Sequence, residues 1–244
     1  MIPKIIHYCW LSNDPYPEKI RHCLNSWHHL LPDYEFVLWD TNRFSLEDSE
    51  WVKEAYEAKR YAFAADYIRL YAIYNYGGVY LDSDVEVKKK FDDLLHLPYF
   101  ICKESYDYRV EVAAFGAEKG TTWVKECLDY YKGRHFVNDK GYDLKVMPDI
   151  VQEIVLPKRS INFINSIDEF IDDDKQFNVF PSDWFCANVH LNPTDKEPTY
   201  VISSNTYCIH HFASSWVKLG RLKLLVLRIL SLCGLYKNRR LEWR

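Results

Sequence analysis

Residues 61–87 constrain the fold of this chain more than any other stretch. Tyr61 to Tyr76 is an apolar segment of helical length, and it runs into Gly77-Gly78. Glycine ends a helix readily because it accepts the left-handed backbone that the terminus needs. A short apolar strand, Gly78 to Leu81, follows and closes on Asp82-Ser83-Asp84. Carboxylates two apart on extended backbone point the same way, and the end of a strand is where α/β folds bind ligands. The helix itself carries Asp66 and Arg69, one turn apart, in an otherwise apolar segment. Charges on a helix built to be buried are costly unless they pair or bind something. A buried pair that only neutralises itself rarely improves stability. The expectation is therefore a ligand role, with Asp66 accepting from hydroxyls and Arg69 donating to them.

The remaining pattern alternates strands with helices. Lys4 to Trp10 reads as a buried first strand, and Pro17 opens a helix with Ile20, Leu24 and Trp27 on one face. Glu35 to Trp39 is a strand and Leu46 to Ala58 an acidic amphipathic helix. Further strands are expected at Val85–Val87, Tyr99–Cys102, Val110–Phe115 and Tyr207–Phe212, and helices at Thr121–Tyr131 and Lys145–Val155. Ser166 to Asn192 is acidic, aromatic and rich in loops. This order predicts an α/β fold, a mainly parallel Rossmann-like sheet with helices on both faces. A chain of 244 residues with 48% hydrophobic content can bury one large core. Its seven cysteines form no CxxC pair, and no cleavable apolar leader precedes the first strand. Reduced thiols in the cytoplasm are the simplest account.

Asp82 and Asp84 can face one divalent cation, and hard oxygen ligands suit Mn2+ or Mg2+. Such an ion would neutralise a departing diphosphate. A second cluster, His210-His211-Phe212-Ala213-Ser214-Ser215-Trp216, ends the last strand. Histidine there suits a divalent ion, and hydroxyl and indole N–H groups can donate to phosphate oxygens. Trp10, at the end of the first strand, can stack on a base or pack in the core. The chain has no P-loop, nucleophile elbow, zinc cysteine pattern or dinucleotide fingerprint.

Four motifs in order carry a resemblance: Ile2-Pro3-Lys4-Ile5-Ile6-His7-Tyr8-Cys9-Trp10, Ala65-Asp66-Tyr67-Ile68-Arg69, Gly77-Gly78-Val79-Tyr80-Leu81-Asp82-Ser83-Asp84, and His210-His211 through Ser215-Trp216. Together they resemble the bacterial glycosyltransferases of family 32, relatives of the yeast initiating mannosyltransferase and of capsular polysaccharide sugar transferases. The same scaffold is similar to the glucosylating clostridial toxins. The resemblance runs from residue 2 to about 216 and implies a GT-A fold, a Mn2+ or Mg2+ ion, a nucleotide-sugar donor and transfer with retention. By position it implies that Trp10 stacks on the base and that Asp66 and Arg69 hold the donor sugar, with Tyr80 beside it. It implies that Asp82 contacts ribose and metal, that Asp84 and His211 bind the metal, and that Ser214, Ser215 and Trp216 hold the diphosphate. Asp66, Arg69, Asp82 and Asp84 are the expected catalytic set. Two places depart from the family pattern. Glu111 to Ala117 lacks the Asn that many relatives carry before Phe-Gly-Ala, and Met147-Pro148-Asp149 stands where a Thr-Gly-Pro is frequent.

The reading is thus a transferase domain over 1–216 and a tail over 217–244. From Trp216 onward the chain holds eight basic residues (Lys218, Arg221, Lys223, Arg228, Lys237, Arg239, Arg240 and Arg244) against Glu242 alone. The apolar run from Leu222 to Leu235 is interrupted by Lys223 and Arg228, too short and too charged to span a bilayer. It fits an amphipathic helix on an anionic membrane surface, or one packed on the domain. The expected activity is transfer of a hexose or N-acetylhexosamine, UDP-linked by preference, to a lipid-linked oligosaccharide at the inner face of the membrane. The alternative is a non-catalytic nucleotide-sugar or cation binder docked there. Nucleic acid is not an expected partner, because outside the tail the chain is acidic.

Overall fold

The computed structural model describes residues 1–12, 14–104, 109–190 and 199–212. In chain order the first elements are β1 (Ile5–Cys9), α1 (Glu18–Leu30), β2 (Glu35–Trp39), α2 (Glu50–Glu57), α3 (Tyr61–Tyr76), β3 (Gly78–Leu81) and β4 (Val85–Val87). Then come β5 (Tyr99–Lys103), β6 (Val110–Ala117), α4 (Thr122–Tyr130), the hairpin β7 (Val137–Asn138) and β8 (Gly141–Tyr142), and α5 (Met147–Ile154). The last are β9 (Ser160–Phe163), β10 (Gln176–Val179), α6 (Ser182–Phe185), β11 (Asn188–His190), β12 (Thr199–Val201) and β13 (Cys208–His210).

The central sheet runs β2-β1-β3-β6-β5. β1 pairs parallel with both β2 and β3, whereas β6 returns antiparallel against β3 and β5 antiparallel against β6. The α/β arrangement expected from the sequence is present, with the parallel half in β2-β1-β3. Alternate strand residues divide the interior into two clusters, as a pleated sheet covered on both faces requires. Tyr80, Phe115 and Ile101 join α2, α3, α4 and α5 on one face, while Val79, Leu81 and Phe100 join Trp27 of α1 and Phe185 of α6 on the other. The expected helix over 46–58 is divided at Ser49, whose hydroxyl caps α2 by accepting from the Val52 N–H at 3.3 Å.

The turn into β3 admits only glycine. Gly78 sits at φ +114°, and a Cβ there would stand 2.7 Å from the carbonyl oxygen of Ile5. Close approach of β3 to β1 is what the missing side chain allows. Beside it, the Trp39 indole N–H donates to His7 Nδ1 at 3.0 Å, so His7 Nε2 carries the proton and donates to the Gly77 carbonyl at 2.8 Å. His7 is 1% exposed, and burial pushes its ring down to about 4, so it is neutral.

β4 does not extend β3 but pairs antiparallel with β13, placing Val85 opposite His210. That pairing carries the C-terminal histidines to the end of β3. Among the described residues no helix is long and apolar enough to cross a membrane. The tail over 217–244 lies outside the described residues.

Candidate active site

Asp66 and Arg69 leave α3 on its buried face, 8% and 4% exposed. The guanidinium is clamped from three sides. One terminal nitrogen donates to the Val112 carbonyl at 2.8 Å; the other lies 3.1 Å from Asp66 Oδ1 and 3.2 Å from Asp82 Oδ1. Its carbon stands 4.7 Å above the centre of the Tyr80 ring. The Tyr80 hydroxyl donates to the same Asp82 oxygen at 3.0 Å. Arg69 therefore acts first as the brace that holds Asp66 and Asp82 in place. Tyr80 is fully buried and lies beneath this brace.

The second oxygen of Asp66 accepts from the Met147 N–H at 3.3 Å, at the N-terminus of α5. Met147-Pro148-Asp149, the departure noted in the sequence, thus supplies a backbone donor to the carboxylate. Burial raises the Asp66 carboxyl to about 6, with Arg69 opposing and Asp82 adding to the rise. Burial raises Asp82 as well, again against Arg69.

Asp82 and Asp84 flank a turn in which the Val85 N–H donates to the Asp82 carbonyl at 2.9 Å. His210 Nε2 is 3.6 Å from Asp84 Oδ1. Asp82, Asp84 and His210 each offer one ligand atom, all within 4.8 Å of one another. Two carboxylates and an imidazole form a donor set that suits a divalent ion.

The histidine assignment changes. His211 was expected at the metal, but its ring is occupied elsewhere: Nε2 is 3.0 Å from Glu86 Oε2 and Nδ1 is 3.1 Å from the Tyr200 hydroxyl. Burial lowers its pKa. Successive residues leaving β13 point opposite ways, and it is the His210 ring that faces the Asp84 carboxylate. On that side its Nδ1 faces Glu111 Oε2 at 3.4 Å. Burial alone would raise the Glu111 carboxyl, but His210 overrides it and draws Glu111 down to about 2. The Glu111 charge in turn outweighs burial of His210 and holds the imidazole well above its ordinary range. The ring, 13% exposed, lies between Asp84 and Glu111.

Sequence reasoning missed Glu111 and Cys186, whose thiol donates to Glu111 Oε2 at 3.2 Å. The signal at Glu111 was its charge in the apolar strand Val110 to Ala117; Cys186 carried no local signal. Trp10 closes β1, with its indole N–H donating to the Asp14 carbonyl at 2.9 Å and its ring edge-on to Tyr16 at 4.9 Å. Ser214, Ser215 and Trp216 lie outside the described residues.

Residues 17–101 match the family model described as a glycosyltransferase sugar-binding region containing a DXD motif, a stretch that holds Asp66, Arg69, Asp82 and Asp84. Inositol phosphoceramide mannosyltransferase 3 of Schizosaccharomyces pombe is 40% identical over 108 residues, 43% of this chain and 30% of that protein. Mannosyl phosphorylinositol ceramide synthase SUR1 of Saccharomyces cerevisiae is 36% identical over 112 residues, 43% of this chain and 28% of that protein. Among solved structures, the PaToxG glycosyltransferase is 20% identical, with 63% of this chain and 69% of that one covered at a TM-score of 0.47. Over residues 17–101 the chain is thus similar to the sugar-binding region of DXD-containing glycosyltransferases. It spans less than a third of the length of the two curated relatives.

Proposed function

We propose that this chain is a metal-dependent, retaining glycosyltransferase. It moves a hexose or N-acetylhexosamine from a nucleotide sugar, UDP-linked by preference, to a lipid-linked or oligosaccharide acceptor in surface polysaccharide synthesis. The observation that carries this reading is the single wired cluster Asp66–Arg69–Asp82–Tyr80 at the end of β3, continued by Asp84 and His210. The names of the yeast relatives support hexose transfer.

Asp82, Asp84 and His210 would hold the ion. When bound, it would neutralise charge on the departing diphosphate, an electrostatic role that is often the largest single contribution to catalysis. Asp66 accepts from donor-sugar hydroxyls in its ionised form, and the fixed Arg69 holds that carboxylate so that the sugar is oriented for attack by the acceptor. Retention then follows from a same-face route in which the leaving phosphate takes the acceptor proton, which requires no carboxylate nucleophile. The basic tail adsorbs to the anionic inner face of the cell membrane.

The test is a thermal-shift panel of nucleotide sugars, each with and without Mn2+, with donor hydrolysis followed in the same samples. A ligand that binds only the folded chain raises its melting temperature. A metal-dependent rise with one donor, together with slow hydrolysis, is the expected result; a binder without hydrolysis would reduce the chain to a non-catalytic module. Flotation with anionic and with neutral vesicles checks the tail, with binding expected only to the anionic ones.

A further inference from the structure

Two groups of potential metal ligands share one imidazole. Glu111, Cys186 and His210 form a second group of potential ligands, again with all donor atoms within 4.8 Å. They come from three separate elements: Glu111 from β6, Cys186 from the end of α6, and His210 from the end of β13. Glu111 Oε2 lies 3.2 Å from Cys186 Sγ and 3.4 Å from His210 Nδ1. Cys186 is also within hydrogen-bonding reach of His210. A tetrahedral cation about 2.0–2.3 Å from S, N and O ligands spaces them about 3.3–3.7 Å apart. The two distances from Glu111 stand within a few tenths of an ångström of that spacing. A thiol, an imidazole and a carboxylate make the donor set of Zn2+, not of Mg2+.

We propose that Glu111, Cys186 and His210 form an inhibitory site for Zn2+ or a similarly soft divalent ion, antagonistic to the metal of the active site. The antagonism rests on the active-site reading above. His210 presents Nε2 to Asp84 and Nδ1 to Glu111. Ligation of the hard ion by Nε2 leaves the ring proton on Nδ1, donating to Glu111. Zn2+ entering between Glu111 and Cys186 takes the Nδ1 lone pair. It displaces the Cys186 thiol proton and one ring proton to solvent, and the remaining ring proton stays on Nε2. An Nε2–H cannot ligate, so Asp82 and Asp84 lose their third partner. Thiolate and carboxylate together cancel the charge of the cation, as a site at 0% and 4% exposure for Cys186 and Glu111 requires.

Co2+ is the probe, because thiolate ligation gives a near-ultraviolet charge-transfer band. The full chain and its Asp84→Asn variant are expected to show the band, and Cys186→Ser to lose it while keeping a cooperative melt. Should Cys186→Ser not fold, Glu111→Gln is expected to weaken Co2+ binding at least about tenfold. In a second measurement, free Mn2+ is followed by electron paramagnetic resonance. One equivalent of Zn2+ should raise the apparent Kd for Mn2+ at least about tenfold in the unaltered chain and less than about twofold in Cys186→Ser. No thiolate band in the folded chain, a band that survives Cys186→Ser, or an Mn2+ affinity indifferent to Zn2+ would overturn the proposal. If the unaltered chain binds no Mn2+ at all, the active-site reading fails and the antagonism with it, while the cobalt band still decides the thiol site separately.

Discussion

The two ends of the β1–β3 pair carry opposite kinds of buried polarity. At the start of β3, His7 joins the Trp39 indole to the Gly77 carbonyl, and every polar atom of the ring is used. The network is neutral and closed, and its ring is 1% exposed. At the other end Asp66, Arg69 and Asp82 share charge across one guanidinium, and Asp84 and His210 continue the cluster. Arg69 there is shared by two carboxylates, so negative charge is left over. A closed neutral network fixes backbone geometry; an open one with surplus charge stores binding capacity for a cation or a hydroxylated ligand. The strands thus have one end built for stability and one for chemistry.

The sharpest way to break this contrast is at the open end. Asp84→Ala should lower donor hydrolysis and transfer at least about a hundredfold, with a nearly unchanged melting temperature. A folded variant with full activity would remove Asp84 from the site. At the closed end the outcome should invert. His7→Ala orphans the Trp39 N–H and the Gly77 carbonyl, and should cost about 2–4 kcal/mol of stability by chemical denaturation. Mn2+ affinity should stay as it was.

Acid titration sharpens the comparison further. Asp66 has a folded pKa of about 6 against an ordinary 3.8. The native state therefore binds this proton more tightly than the unfolded chain. Its contribution to stability is complete below about pH 4 and is lost as pH rises through about 6, a change of about 1–3 kcal/mol. Asp66→Asn should flatten that part of the stability–pH curve while abolishing transfer; an unchanged slope would locate the titration elsewhere. The smallest effect separates the two histidines. His210→Ala should weaken Mn2+ binding at least about tenfold, and His211→Ala by less than about threefold. The reverse ranking would restore the assignment made by resemblance.

Much of the fold was legible because its signals are local. The apolar helix over 61–76, the glycine pair after it and the short strands each express their own periodicity and turn chemistry. Ser49 shows where local reading blurred: a capping hydroxyl inside an acidic run looked like helix interior. Asp66, Arg69, Asp82 and Asp84 were legible for a related reason, since charges stand out in apolar segments.

What the chain determined by itself is the α3–β3 unit, a buried helix with two charges, a turn only glycine can make, and two carboxylates on the strand end. These follow from near-neighbour sterics and from the cost of burying charge. Only the tertiary structure decided which histidine faces them. That choice depends on β4 leaving the sheet to pair with β13, which puts Val85 opposite His210. It likewise brought Glu111 and Cys186, 75 residues apart, to 3.2 Å. Contacts of that range are set by how packed layers close, and no local pattern encodes them.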